Sequence, residues 1–350
     1  MGIILHKVLL YCLYKIEGER SIYSIYHLLN GKKSSQTIQD AHLFQLSPFF
    51  NTYRQVTRND LDEFIKESVQ DQLLIKSNEH HYILSEKGME LIRNLFTQYP
   101  FLEHLNGWQY QGSERFWERL SLFVQVASNL AHSETNYFPI QRNKQVQLWM
   151  KNFLVHTDIN RKELSQRLYD ELVFCFNKKN AIDPSVLVVR LTGYNTIGRT
   201  KEQACEVLDM EYSLYHFQLL SLLHDMQKCI HGNKTKLPIL SSMVEDLQDD
   251  VPLTHSTKRT YELISRGYTV EQIAIMRRLK KNTIEDHIVE LALNIKEFDI
   301  EPYVDGNKQE KILEAAKKVP SKQLRYIREY VKEADYFEIR LVIAKSGDGK

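Results

Sequence analysis

The sequence predicts a mainly α-helical, multi-domain protein with a winged-helix-like N-terminus, a helical middle and a C-terminal helix-turn-helix. Three observations carry this. Apolar residues recur at three- and four-residue spacing through the middle and C-terminal sections. Strand candidates are confined to one short hairpin near residue 80. Capping residues and a glycine divide residues 256–298 into three helices. At 350 residues the chain is long enough for two or three domains, which we place at residues 1–97, 113–240 and 253–345.

Residues 3–14 read as a first helix, and Ile22, Ile25, Leu28 and Leu29 as a second that Gly31 stops. Ser34 or Ser35 opens a third through Phe44, and residues 58–70 form a fourth. Residues 73–76 and 82–84 then pair across the polar turn S-N-E-H-H, and Ser85 caps a following helix. That succession is common in winged-helix domains. The basic pair Lys32 and Lys33 precedes the third helix, where amides and side chains together could hold a DNA phosphate; the alternative is a solvated loop.

Pro100, Gly107 and Gly112 interrupt helical periodicity and mark a boundary, with Trp108, Tyr110, Phe116 and Trp117 beside it as interdomain core. Residues 113–131, 141–155 and 161–178 are amphipathic helices. Further on, Thr200 as cap, small Ala204 and a turn at 209–211 outline a second helix-turn-helix, similar in pattern to the promoter-reading domain of sigma factors. No Lys or Arg lies between Lys201 and Lys228, whereas Glu202, Glu206, Asp209, Glu211 and Asp225 do, so this unit suits packing or a protein partner rather than phosphate. Residues 241–252, with Glu245, Asp246, Asp249 and Asp250 before Pro252, read as an exposed acidic linker.

In the C-terminal module Tyr261, Leu263 and Ile264 give a first helix its apolar face, and Gly267 ends it in the left-handed region. Thr269 caps a second helix with Val270, Ile273 and Ala274 inward, small Ala274 suiting a close crossing. Met276 and Leu279 bracket a turn, and Asn282 is the expected cap of a third helix carrying Ile284, Ile288, Leu291 and Leu293. The stretch Y-E-L-I-S-R-G-Y-T-V-E-Q-I-A-x-x-R-x-L-K-x-N-T-I-E-D-H-I-V-E-L, with Y-F-E-I-R-L-V-I-A at 336–344, resembles the module ending some RecQ-type DNA helicases. Over most of its length, including S-I-Y-S-I-Y-H-L-L-N-G-K-K-S-S-Q-T-I-Q-D-A-H-L-F, the chain is similar to the YpbB-like proteins of low-GC Gram-positive bacteria. Where the module usually has Gly before the turn Leu, this chain has Arg278.

Charge in this module comes in blocks. Residues 256–281 hold seven basic side chains against two acidic, +5; residues 282–307 hold one against seven, −6; residues 308–332 hold eight against three, again +5. Arg277, Arg278, Lys280, Lys281 and Thr283 at the turn and the start of the third helix are the expected DNA contacts. Glu285, Asp286 and Glu290 on that helix would repel phosphate in a groove and are the expected contacts to a protein partner.

The net charge of +1 says nothing by itself about nucleic acid. Cys12, Cys175, Cys205 and Cys229 contain no C-x-x-C pair and imply a reducing cytoplasm, and the opening apolar run is too short and too broken to be a signal peptide or membrane span. The chain has no phosphate-binding loop, the terminal S-G-D-G-K lacking the required spacing, and no hydrolase, zinc-protease or dinucleotide motif. Cys205, His224, Cys229 and His231 fit no zinc-finger spacing and read as core cysteines and surface histidines, so neither metal nor cofactor is expected. The resemblance implies a non-catalytic, DNA-binding adaptor for a RecQ-type helicase in recombination and repair. A transcriptional regulator and a scaffold that touches no nucleic acid are the alternatives. Oligomeric state is not written in the sequence.

Overall fold

A computed structural model describes residues 2–176, 182–247, 253–319 and 324–346. Asp249, Asp250 and Pro252 of the acidic linker, Lys178, Lys322 and the terminal G-D-G-K lie outside the described residues. The protein is mainly helical, with one small hairpin near the N-terminus. Its elements run α1 (Ile3–Ile16), α2 (Tyr23–Leu29), α3 (Ser35–Leu43), α4 (Arg58–Gln70), β1 (Leu74–Asn78), β2 (His81–Leu84), α5 (Glu86–Ile92), α6 (Leu95–Gln98), α7 (Ser113–Ala131), α8 (Lys144–His156), α9 (Leu164–Phe176) and α10 (Ser185–Val188). They continue as α11 (Lys201–Val207), α12 (Tyr212–His231), α13 (Pro238–Val244), α14 (His255–Ile264), α15 (Val270–Arg277), α16 (Lys281–Asn294), α17 (Gly306–Lys318), α18 (Leu324–Tyr330) and α19 (Tyr336–Ser346). Among the described residues no helix is long and apolar enough to cross a membrane.

The elements divide into two compact units, residues 1–8 with 91–248 and residues 9–90 with 249–350. In the first, α7 and the 20-residue α12 pack with α9 and α13 around Phe116, Phe123, Tyr215 and Phe217. Trp108 is buried in the same unit. Arg119, buried in α7, donates to both Asp246 carboxylate oxygens at 2.5 and 2.8 Å and to the Met243 carbonyl at 2.9 Å, so part of the acidic stretch is tied down. Buried Glu171 accepts from the amides of Ile239 and Leu240, closing the N-terminus of α13. His224 Nδ1 accepts from the Asn106 amide at 3.0 Å, and burial pushes its imidazole down to about 3. It is a core residue, not the surface histidine expected, and among the described residues no three His, Cys, Asp or Glu side chains gather as a metal site.

In the second unit β1 and β2 pair antiparallel in the register Leu74↔Leu84, Ile75↔Ile83 and Lys76↔Tyr82. A bulge follows Lys76, and His80 turns the chain at φ 56°. Caps fix the flanking helices: Ser34 accepts from the Thr37 amide, and Thr57 with Asp60 forms a capping box on α4. The core of the C-terminal module gathers Ile273, Ile284, Ile288, Leu291, Ile312 and Ile339. Helix α16 is its axis, packing against α14, α15 and α19 and also against α3 of the N-terminal part. Residues 287–292 of α16 are therefore all buried, on every face.

Candidate nucleic-acid interface

The module begins with local chemistry. Thr254 caps α14, and Gly267, at φ 84°, ends the segment after it. Thr269 and Gln272 make a reciprocal capping box on α15. The turn then passes through Arg278, which adopts φ 53°, ψ 44°. A charged side chain thus occupies the left-handed position that suits glycine, and the Leu279 amide closes the turn on the Ala274 carbonyl at 2.9 Å.

Helix α16 starts one residue before the expected cap. Lys280 is its N-cap, in extended conformation and without a capping hydrogen bond from its side chain. Asn282, expected as the cap, lies inside the first turn, because the chain already leaves the extended region at Lys281. The first amides of α16 consequently have no side-chain cap, and Arg278, Lys280 and Lys281, next to them in sequence, are exposed. Such a terminus combines the positive end of the helix dipole with three cationic residues, the chemistry that suits an anion. Lys281 also meets Glu271 at 3.0 Å, a contact that raises its pKa. Both partners are more than half exposed, so the pair is weak. Thr283 is half-buried, and its amide donates to the Lys280 carbonyl at 2.9 Å.

Two sequence expectations are corrected by burial. Arg277 turns inward: its guanidinium donates to the Ser256 carbonyl at 2.8 Å, to Ser256 Oγ at 2.9 Å and to Thr260 Oγ1. Thr260 Oγ1 also lies 2.8 Å from His287 Nδ1, in hydrogen-bond contact. Burial first, and then the Arg277 charge, push His287 down to about 4. Arg277 therefore ties the end of α15 to α14 instead of facing phosphate. Glu290 is 5% exposed and accepts from the Thr254 amide at 2.5 Å, Thr257 Oγ1 at 2.6 Å and Thr254 Oγ1 at 3.1 Å. Burial nonetheless pushes its carboxyl up, and a group so enclosed has no surface to offer a protein partner.

Of the other acidic residues, Asp286 is paired with Arg340 at 2.6 Å, and Glu285 is half-buried with its carboxyl pushed up by desolvation. Lys32 and Lys33 are exposed in the loop before α3, in the same unit as the module. Lys33 lies close enough for its charge to act on Glu290.

No solved structure matches the chain. Residues 256–343 match the helix-turn-helix domain family. The whole chain is 32% identical over 342 residues to Protein YpbB of Bacillus subtilis (strain 168), an alignment covering 95% of each. With that identity maintained across nearly its full length, and with a helix-turn-helix domain at its C-terminal end, the chain belongs to the YpbB family.

Proposed function

We propose that the protein is a non-catalytic DNA-binding accessory factor whose C-terminal helix-turn-helix grips duplex phosphates through the N-terminus of α16. The observation that carries this is the division within α16. Its start presents uncapped amides among Arg278, Lys280 and Lys281, while residues 287–292 are enclosed on all sides. A helix buried in that way cannot lie along a major groove, so it docks by its tip, holding backbone more than bases. Two acidic residues of α16 therefore do not oppose binding: Glu290 is internal and Asp286 is paired, while Glu285 and Asp335 act on Lys281 at the basic tip that meets the phosphates.

The N-terminal helices with their hairpin are read as a winged-helix-like domain over residues 1–97, preceding a helical domain at 113–240 and the module at 253–345. In this reading the protein serves a RecQ-type helicase in recombination and repair, which supplies the ATP-driven motor that this sequence lacks a phosphate loop to provide. Tip docking with little base choice favours an accessory factor over a regulator that selects an operator.

The test is duplex binding by the full chain and by an R278A/K280A/K281A variant, titrated with salt. Affinity should fall alike for unrelated sequences, and the slope of log affinity against log salt should flatten by about 0.9 for every phosphate no longer neutralised. Unchanged affinity and slope would reject the α16 tip as the DNA-binding element. Arg277 is left intact in this variant because removing it would disturb folding.

A further inference from the structure

A second surface of the same unit has the composition of a nucleic-acid site of a different kind. Residues 21–34 and 51–59 contain Lys32, Lys33, Arg54 and Arg58 and no acidic residue. The two stretches are laced together. The Asn51 amide donates to the Leu28 carbonyl at 2.8 Å, the Tyr53 amide to the Leu29 carbonyl at 3.1 Å, and Asn30 Nδ2 to the Val56 carbonyl at 3.3 Å. Gly31, at φ 68°, permits this approach, since a Cβ there would fall 2.3 Å from Asn51 Oδ1. Arg54 donates to that same oxygen at 2.6 Å.

Aromatic rings are interleaved with these cations. The Arg58 guanidinium sits 5.2 Å from the Tyr23 ring centre and 5.8 Å from that of Tyr26, and the His27 ring lies 5.3 Å from Tyr26. Lys32, Lys33, Arg54 and Arg58 are exposed, and Tyr23, Tyr26 and His27 are half-buried. The neighbouring carboxylates are engaged: Asp60 closes the capping box with Thr57, and Asp62 accepts from the Tyr23 hydroxyl at 3.1 Å. Burial, and then the charges of Lys32 and Arg58, lower the His27 pKa, so these two cations act on that ring, while at Tyr23 the Asp62 charge opposes Arg58.

We propose that this surface binds single-stranded nucleic acid, with Lys32, Lys33, Arg54 and Arg58 on the phosphates and Tyr26 with the Arg58 plane stacking an unpaired base. Cations alone would equally suit an acidic peptide; the rings among them favour a ligand with flat π-faces. Paired bases hide those faces inside the duplex, so the partner is a single strand. The inference rests on the nucleic-acid reading above only for the class of ligand, because its residues are distinct from Arg278, Lys280 and Lys281.

The experiment measures fluorescence anisotropy of the full chain with an oligothymidylate of about 20 nucleotides, which spans one or more single-strand sites, and with a duplex of equal length. K32A/R54A/R58A should lose the oligothymidylate by roughly tenfold or more, with the salt slope flattening by about 0.7 for every phosphate no longer neutralised. Y26A should weaken it roughly fivefold to 150-fold, the span expected for one stacked base, whereas Y26F, keeping the ring, should bind as the parent does. R278A/K280A/K281A should retain the single strand. Full affinity and an unchanged slope in K32A/R54A/R58A would overturn the proposal, as would a polyglutamate peptide of equal charge binding as tightly as the oligonucleotide. Loss of the single strand in R278A/K280A/K281A would overturn it too, by merging the two sites. Retention of the duplex by that variant defeats only the α16 tip reading, so the two failures are distinguishable.

Discussion

The chain contains the same short helix, turn and long helix twice, with opposite electrostatics at the point that matters. In the unit built on α12, Thr200 and Gln203 form a capping box, Asp209 turns the chain at φ 50°, and the Met210 amide donates to the Cys205 carbonyl at 2.9 Å. In the unit built on α16, Thr269 and Gln272, Arg278 at φ 53° and the 2.9 Å bond from the Leu279 amide to the Ala274 carbonyl repeat each step at the same spacing. The N-cap of the long helix then differs. Glu211 turns its own carboxylate onto the Ser213 and Leu214 amides at 2.7 and 3.4 Å, closing the anion site with an internal anion. Lys280 makes no such bond from its side chain and adds a positive charge. Backbone geometry makes a helix-turn-helix, and in the proposed reading one capping residue decides whether its tip receives phosphate.

The largest way to break this contrast is to make α16 resemble α12. Lys280→Glu should supply the missing internal cap and cost duplex affinity roughly tenfold or more, through one phosphate left unneutralised and one repelling charge. Affinity in that variant equal to the parent's would remove the basis of the comparison.

A second difference is titratable. His287 beside α14 is held at about 4, below the ordinary 6.5, so the unfolded chain takes up a proton that the folded module refuses. Stability should fall as pH drops from about 6.5 toward 4, by about 2 kcal/mol at pH 5, and level off below. Hydrogen exchange of the α16 amides at pH 7 and pH 5, corrected for intrinsic rates, reads this directly. His287→Gln should shrink the pH-dependent loss.

A smaller effect belongs to α12. Glu211→Ala removes a cap and should cost about 1 kcal/mol of stability in urea unfolding, with duplex affinity unchanged. A fall in DNA affinity comparable to that of R278A/K280A/K281A would mean that the wrong unit has been assigned to DNA.

The smallest concerns the left-handed turn residues. Arg278→Gly relieves a conformation that costs a non-glycine side chain roughly 1 kcal/mol, but glycine's greater freedom when unfolded offsets part of that. We expect a net gain of a few tenths of a kcal/mol in thermal unfolding, accompanied by weaker DNA binding. Asp209→Gly should gain less, because Asp tolerates this region better than Arg.

What the sequence determined by itself is local. Thr200 and Thr269 as caps, Gly267 as a terminator, the hairpin after α4 and the helical periods depend on interactions within a few residues, and each is legible from spacing and side-chain chemistry. The family was legible too, because the order of residues persists along nearly the whole chain. Burial of individual charges was not. Arg277 and Arg278 are adjacent and chemically identical, yet one is drawn into Ser256 and Thr260 while the other stands in solvent. Glu290 looks like its neighbours Glu285 and Asp286 in a string of letters, but it is enclosed by Thr254 and Thr257. Lys32 and Lys33 were legible as a basic pair, but the joining of residues 21–34 to 51–59 was not, because the two stretches meet through backbone bonds and the Asn30 side chain across a loop, and Arg58 reaches the tyrosines only once they have met. Helix α16 supplies the general case. Its own sequence specifies a helix, but packing by α3 on one side and α14, α15 and α19 on others buries residues 287–292 and leaves the side chains at its start exposed. Exposure is a property of what covers a residue, and the covering elements come from parts of the chain far away in sequence.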